Sequence, residues 1–222
     1  MRGMTPPPSE PTGKQNRSGA ATRAKIIEAA IAVLAEKGFS AFTLQAVADR
    51  AGVFYGNVTH HYATRDKLVE AMLEAILEGY RARFDELVVS LEAHEAGPVR
   101  PLVTWLVDDA VSPETAPLLL ELWAMSSHMP EVAAGMKQLY DGAVDVCMVA
   151  LKVDPHAESS KGLRHALFLL GTVIEGNSCI FSNRDRTTGL YDGYRSEAIE
   201  ALVPLLERRL AEAKQAGARR KI

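Results

Sequence analysis

The segment spanning residues 42–67 (FTLQAVADRAGVFYGNVTHHYATRDK) constrains the fold most, because it combines a helix cap, two short helices and a tight turn. Thr43 is a suitable N-cap, since its hydroxyl can accept a hydrogen bond from a free backbone N–H of the first turn. Apolar residues recur at i, i+3 and i+4 from Leu44, which is typical of a helix with one apolar face. Gly52 can adopt the left-handed conformation that ends a helix, and Val53 can fill the corner. The segment therefore predicts a helix-turn-helix.

The second helix of this unit, about residues 54–62, is polar and aromatic on its outer face. Such a helix can lie in a DNA major groove while its partner crosses the backbone. Many helical proteins contain two short helices and a glycine turn as ordinary packing, so the context decides between the two interpretations. A helix of suitable length precedes the unit, and Thr64 opens a long helix after it.

In this context the chain resembles the TetR family of bacterial transcriptional regulators. The matching features are residues 22–38 (TRAKIIEAAIAVLAEKG), Phe42-Thr43, Val47-Ala48, Ala51-Gly52-Val53, Gly56, His61-Tyr62 and Arg65-Asp66-Lys67-Leu68. They match in order and spacing through three helices and into a fourth, and downstream only a helical pattern continues.

The sequence predicts an all-α fold of about nine helices, with an N-terminal three-helix helix-turn-helix head on a larger helical body. The predicted divisions are a disordered arm (1–19), the DNA-binding head (20–67), an effector-binding and dimerisation body (68–216) and a basic tail (217–222). Lys14 and Arg17 of the arm could reach a minor groove, although such arms are more often solvated tails.

Charge divides unevenly along the 222 residues, whose formal net charge is −3. Residues 1–70 carry nine Lys and Arg against six Asp and Glu, whereas residues 71–222 carry 16 against 22. A basic end on an acidic body suits a protein that contacts phosphates at one end. Chance alone can also produce a difference this small.

Two cysteines, Cys147 and Cys179, lie within apolar runs, and we expect buried free thiols in a reducing cytoplasm, with a redox pair as the alternative. No apolar run is long enough for a transmembrane helix, and the N-terminus lacks the apolar region of a signal peptide. The expected localisation is cytoplasmic. We expect no metal site and no cofactor.

The last two helices are too apolar to face water, and they can form a four-helix bundle with the same helices of a second subunit. Gly171, Gly176 and Ser178 would permit close approach. Both helices could instead be internal, but the resemblance favours the homodimer, because family members dimerise through these helices. A two-fold dimer implies a palindromic double-stranded operator with two major-groove half-sites.

The residues expected to contact DNA divide into base-reading and phosphate-contacting groups. Tyr55, Gly56, Asn57, Thr59 and His60 are expected at the groove. Thr43, Gln45, His61, Tyr62, Lys67 and Arg65 are expected at phosphates, and the resemblance implies capping by Thr43 and backbone contacts by His61 and Arg65.

The chain departs from the family pattern at Thr59, where tyrosine is common, and at Phe54-Tyr55, where small or basic residues are common. The half-site sequence therefore cannot be deduced. Phe54 is equally compatible with a core position, and His60 and His61 with ordinary exposed polarity.

The resemblance implies an effector pocket among the fourth to eighth helices. The candidate lining residues are Trp105, Trp123, Met125, His128, Met129, Tyr140, Cys147, Glu175, Asn177 and Phe181. Each is individually more often a core residue, but an aromatic and methionine-rich lining suits an apolar or amphipathic small organic effector.

Glu175 is the most informative of these residues, because a carboxylate in an apolar helix must be paired, protonated or used. With Glu121, Trp105 and Trp123 it could bind an organic cation. A hydrogen bond between helices is the plainer interpretation.

The predicted function is a ligand-responsive transcriptional regulator, most simply a repressor, released from its operator when an effector shifts the population of its conformations. One alternative is a helical DNA-binding or protein-docking module without an effector. Another is a helical enzyme, with Glu121, His128 and Glu175 as conceivable metal ligands. No zinc-spaced cluster, phosphate-binding glycine loop or recognisable nucleophile supports an enzyme.

Overall fold

The computed structural model describes residues 13–92, 97–182 and 189–219, and within these ranges the chain forms helices and no strand. The α-helices in these ranges are α1 (Gly13–Lys37), α2 (Leu44–Ala51), α3 (Tyr55–His61), α4 (Arg65–Glu92), α5 (Val99–Asp109), α6 (Ala116–Ser126), α7 (Pro130–Ala150), α8 (Lys161–Phe181) and α9 (Leu190–Arg219). Single 3-10 turns occur at Phe39–Ala41 and Glu158–Ser160. The predicted all-α fold with about nine helices is confirmed.

The chain divides into two compact units, Met1–Met72 and Leu73–Ile222, and the division lies within α4. In the first unit, α1 packs on α2 and α2 on α3. Its fully buried side chains come from each of these helices, from the turn after α1 and from the start of α4. They are Ile26, Ala30, Val33, Leu34, Phe42, Val47, Ala48, Val58, Leu68 and Met72. This small core fixes the angle at which α3 leaves the turn.

Helix α1 begins earlier than the sequence indicated, at Gly13 rather than near residue 20. The segment after Pro11 contains no proline, so no residue there lacks the N–H that a helix needs. Residues 13–19 of the predicted arm thus form the start of α1, and the rest of that arm, residues 1–12, lies outside the described residues. Helix α9 reaches Arg219, and Arg220 to Ile222 of the predicted tail also lie outside them.

The core of the second unit is formed by α4, α5, α7, α8 and α9. Leu102, Met148, Leu163 and Leu206 are at most 1% exposed. Burying one such side chain contributes roughly 1.5–3 kcal/mol. Helix α6 packs on α7 and α8 at the side of this core, where the cavities described below lie.

Helix α8 combines a buried face with an exposed apolar face. Leu163, Leu167 and Leu170 are buried, whereas Leu169 and Ile180 are about half exposed. Exposed and half-exposed positions recur every three or four residues along α8, as expected for one face of a helix. Cys147 is buried as predicted, but the prediction that Cys179 is buried is wrong, because this residue lies on the exposed face of α8.

Candidate DNA-binding face and ligand cavity

The helix-turn-helix begins and ends at the residues that the sequence indicated. The hydroxyl of Thr43 accepts a hydrogen bond from the backbone N–H of Ala46 at 3.0 Å. Gly52 adopts the left-handed conformation, with φ 61° and ψ 41°, and its N–H bonds back to the carbonyls of Ala48 and Asp49. These caps satisfy backbone groups that would otherwise lack partners at the two ends of α2.

Helix α3 buries Val58 and exposes most of its remaining side chains. Tyr55, Gly56, Asn57 and His60 are exposed, and Thr59 is half-buried. The Thr59 hydroxyl donates to the carbonyls of Tyr55 or Gly56 one turn earlier, which leaves its methyl group free to face outward. The residues predicted to read bases thus share the outer part of one short helix.

Phe54 immediately precedes α3 and is 86% exposed. The interpretation of Phe54 as a core residue is therefore wrong. Phe54 and Tyr55 place two aromatic rings at the N-terminal end of α3. A ring this exposed gains little from apolar burial within the described part of the chain.

The residues predicted to contact phosphates differ in whether their polar groups already form hydrogen bonds or ion pairs within the head. Thr43 and Gln45 are exposed, but Gln45 donates to Asp49 within α2. Lys67 is exposed and pairs with Glu70, and this pairing raises the pKa of Lys67. His61 is half-buried, with its ring in edge contact with His60. All four lie on or beside α2, α3 and the start of α4.

Tyr62 and Arg65 are bound into the head itself. Tyr62 is only 4% exposed, and its hydroxyl accepts from Nε of Arg23 at 3.1 Å. The Arg65 guanidinium lies 3.7 Å from the centre of the Phe39 ring and donates to the Phe39 carbonyl at 2.6 Å. Tyr62 was expected to contact phosphates. Its burial contradicts that expectation, because the ring completes the core of the head. Arg65 ties the start of α4 to the turn after α1.

Within the second unit, an interior cavity of about 90 Å³ is lined by residues of α4 to α8. Of the predicted effector-binding residues, Trp105, Tyr140, Cys147 and Glu175 line it. Tyr80 and Phe84 of α4 add two further aromatic rings. Burial raises the pKa of the Cys147 thiol to about 12 and that of Tyr80 to about 12, so both stay neutral.

A polar group at one end of this cavity was not anticipated from the sequence. Asp109 forms an ion pair with Arg83, and the hydroxyl of buried Thr115 lies 3.2 Å from the Asp109 carboxylate. The Arg83 guanidinium lies 5.4 Å from the centre of the Trp105 ring and 5.8 Å from that of Tyr80. No sequence signal marked these residues, because the group joins α4, the end of α5 and the turn before α6.

Glu175 accepts hydrogen bonds from two neutral donors on different helices. Nε1 of Trp123 donates to Oε2 at 2.5 Å, and the hydroxyl of Tyr140 donates to Oε1. The Trp123 and Tyr140 ring centres are 5.6 Å apart. Burial raises the Glu175 pKa to about 6, although the Trp123 hydrogen bond opposes this shift. Hydrogen bonding between helices, one of the two sequence interpretations of Glu175, is therefore present.

A larger groove of about 560 Å³ adjoins the same residues. The residues that line both this groove and the interior cavity are called the wall below, and they are Tyr140, Val144, Leu167, Gly171 and Glu175. Trp123 and Phe168, both more than a third exposed, lie on the groove side. Asp141 also lines the groove and pairs with Lys137.

The remaining predicted effector-binding residues line neither cavity. Met125 is fully buried, and Asn177 is buried with its amide nitrogen donating to the Val107 carbonyl at 2.9 Å. Phe181 packs with Tyr191 and Tyr194 in a separate apolar cluster. His128 is exposed and Met129 half-buried in the turn after α6.

The described part of the chain contains no group of three or more His, Cys, Asp or Glu residues placed to hold a metal ion. None of the helices in that part is long and apolar enough to cross a membrane.

Part of the head matches a known protein family. Residues 26–72 match the family model for bacterial regulatory proteins of the tetR family. The HTH-type transcriptional repressor KstR2 of Rhodococcus jostii (strain RHA1) is 33% identical over 88 residues, which is 39% of this chain and 41% of the repressor. That match spans less than half of the repressor's length.

Two further similarities extend into the body. The HTH-type transcriptional regulator BetI of Burkholderia cenocepacia (strain HI2424) is 29% identical over 162 residues, covering 69% of this chain and 84% of the regulator. The solved structure of the multidrug binding protein EbrR complexed with imidazole has a TM-score of 0.61 and 25% identity, covering 82% of this chain and 93% of that one.

Proposed function

We propose that this chain, as a member of the TetR family of bacterial regulatory proteins, is a ligand-responsive transcriptional regulator, most simply a repressor. The observation that carries this proposal is the capped helix-turn-helix whose second helix, α3, exposes polar and aromatic side chains. The KstR2 and BetI relatives are named as a transcriptional repressor and a transcriptional regulator. A regulator of this kind acts on DNA in the cytoplasm and catalyses no reaction.

The reading face comprises the exposed side chains at the outer part of α3 and its N-terminal end. Tyr55, Asn57 and His60 offer hydrogen-bonding groups to base edges, and Gly56 permits close approach. Phe54 joins this face, because its exposed ring can make apolar contact with a thymine methyl group. Thr59 contributes a methyl contact, since its hydroxyl already bonds within the helix.

Phosphate contacts come from the rim of the head. Thr43, Gln45, His61 and Lys67 supply hydrogen bonds or positive charge that fix the register of α3 in the groove. Arg65 contributes indirectly, because its contact with Phe39 holds the start of α4 in place. Lys67 remains charged, since Glu70 raises its pKa.

We further propose a homodimer formed through α8 and α9. Leu169 and Ile180 leave apolar surface uncovered on α8, and Val173 and Gly176 lie half-buried between them on the same helix. Exposed apolar surface of this kind is stabilised when a second subunit covers it. Two-fold symmetry of the protein then calls for a palindromic operator with two half-sites in the major groove.

The cavities of the body form the sensor for a small organic effector, apolar or amphipathic. The EbrR structure, at 25% identity, is that of a multidrug binding protein complexed with imidazole. Helix α4 supplies Tyr80 and Phe84 to the cavity and runs continuously from Arg65 beside the head. A ligand that binds better when α4 is displaced will shift the population away from the DNA-binding conformation.

An effector-free docking module is disfavoured by the groove, whose volume of about 560 Å³ lies within the range of small-molecule pockets. The direct test is selection of bound sequences from random duplex DNA with the purified protein, at a fixed salt concentration because phosphate contacts make affinity salt-dependent. We expect a palindrome to be enriched. A sound dimer that enriches no sequence, with and without candidate effectors, contradicts the proposal.

A further inference from the structure

The three carboxylates that line the cavity and groove differ in the charge of their partners. Asp109 pairs with Arg83, and Asp141 pairs with Lys137. Within the described residues, Glu175 accepts hydrogen bonds from the neutral donors Trp123 and Tyr140. Within the described ranges no lysine or arginine lies within ion-pair distance of Glu175. Its negative charge is thus hydrogen-bonded but not neutralised.

A partly buried carboxylate without a counter-ion is unfavourable in its charged form. Burial accordingly raises the Glu175 pKa to about 6, which leaves it mostly ionised at neutral pH. Two neutral hydrogen bonds offset part of the desolvation, but a positive charge placed beside the carboxylate would offset much more. The empty space beside Glu175 is therefore electrostatically suited to a cation.

Aromatic rings surround that space on both sides of the wall. Trp123 and Tyr140 lie on the groove side, and Tyr80 and Trp105 line the interior cavity. The faces of Trp105 and Tyr80 already lie near the guanidinium of Arg83. Rings with this disposition attract positive charge through their negative faces.

The two volumes indicate where each part of a ligand would lie. Pockets for drug-sized ligands measure about 300–1,000 Å³. The groove, at about 560 Å³, lies within that range, whereas the interior cavity, at about 90 Å³, does not. The body of the ligand would therefore lie in the groove, against Trp123 and Phe168, with its charged group directed at the wall.

We propose that the effector is an organic cation whose positive group binds Glu175 from the groove, beside the rings of Trp123 and Tyr140. This inference rests on the proposed sensor role of the body, which it deepens by naming the ligand class. The cation competes with Trp123 and Tyr140 for the Glu175 carboxylate, which also lines the cavity that Tyr80 and Phe84 of α4 reach.

Charge can be tested apart from shape with two ions of the same geometry, tetraphenylphosphonium and tetraphenylborate, and with the smaller cation phenyltrimethylammonium. Isothermal titration calorimetry on the full-length protein, without DNA, measures binding of each. We expect the cations to bind and Glu175→Gln to weaken them about tenfold or more. The matched control Glu200→Gln removes a carboxylate of the same unit that pairs with Arg100 and lines neither the cavity nor the groove, and we expect a change below about threefold.

Wild-type protein supplies a second measurement that needs no variant. Cation affinity should fall as the pH decreases through about 6, because protonated Glu175 no longer attracts the ligand. Three results would each overturn the inference. Tetraphenylborate binds as tightly as tetraphenylphosphonium, neither cation binds, or wild type and Glu175→Gln bind the cations with equal affinity. A cation that binds as expected but leaves DNA binding unchanged instead contradicts the sensor role and preserves the cation site.

Discussion

Tyr140 on α7 donates its hydroxyl hydrogen bond to Glu175 on α8, and both residues line the interior cavity as well as the groove. The contact joins two helices at a point where the packing is incomplete. It also gives the body a titratable group whose charge state depends on its burial.

We predict that Glu175 makes the folded state less stable as the pH rises. Burial raises its folded-state pKa to about 6, above an ordinary value of about 4.3. The folded protein therefore holds the proton more tightly than the unfolded chain, so the stabilising contribution is present below pH 4.3 and is lost as the pH rises through 6. Urea denaturation between pH 4.5 and 7.5 measures this effect. As the pH rises, the free energy of unfolding of Glu175→Gln should increase relative to that of wild type.

The comparison isolates residue 175, because the other groups facing it are common to both proteins. Those groups are Tyr80, Tyr140, Trp123 and the Asp109–Arg83 and Asp141–Lys137 pairs. A constant difference between the two proteins across this pH range contradicts the prediction.

Arg65→Ala should destabilise the head. The variant loses the stacking on Phe39 and a charged hydrogen bond to its carbonyl, together worth about 2 kcal/mol. The matched control Arg50→Ala removes an ion pair with Glu36 in which both side chains are about half exposed, and it should cost about 0.5 kcal/mol or less. Amide hydrogen exchange in α1 to α3 measures both, and equal protection in the two variants speaks against a structural role for Arg65.

The local part of the fold was predictable because its signals are short-range. The Thr43 cap and the Gly52 turn each depend on residues within one or two helical turns, and both were correctly predicted. The start of α1 was misplaced, because the Pro, Gly and Ser content of the N-terminal segment favoured a disordered arm.

The cavity was only partly predictable, since its lining depends on which helix faces meet. Trp105, Tyr140 and Glu175 line it, but Met125 and Asn177, with similar sequence contexts, face the core. Composition identified the lone carboxylate in α8. It could not show that Asp109, far along the chain from Arg83, has its charge neutralised.

Phe54→Ala should remove a contact with one thymine methyl group in each half-site. Because Phe54 is 86% exposed, the variant should fold normally. Burial of one methyl is worth about 0.8 kcal/mol, or about fourfold in affinity. Replacing each thymine of the selected operator in turn by deoxyuridine should weaken wild type about fourfold at one position and leave Phe54→Ala unaffected there. Val89→Ala, an exposed residue of the second unit, should respond as wild type does. Equal losses in wild type and Phe54→Ala at every position refute the contact.

Replacing Tyr55 and Asn57 together by alanine should reduce sequence-specific binding while preserving the fold and dimer. Both side chains are exposed and bind nothing in the core, and loss of base contacts costs about 1–3 kcal/mol per position. Competition binding against nonspecific DNA measures specificity separately from phosphate contacts. Unchanged specificity in the double variant would show that α3 presents a different face.

Ile180→Glu should convert the dimer to a monomer. Ile180 lies on the exposed apolar face of α8, and a buried unpaired carboxylate in the interface is strongly unfavourable. Val149→Glu is the matched control, because Val149 is equally apolar and exposed but lies on α7. Sedimentation velocity distinguishes the states, and a dimer that survives Ile180→Glu but not Val149→Glu places the interface elsewhere.

The most direct measurement of the central claim compares affinity for the selected palindrome with affinity for a duplex of the same composition in shuffled order, at one salt concentration. Specific binders prefer their sites by about 10³-fold or more. We predict a preference of at least this size, with one dimer bound per palindrome. Equal affinities for the two duplexes would contradict the assignment of this chain as a sequence-specific regulator.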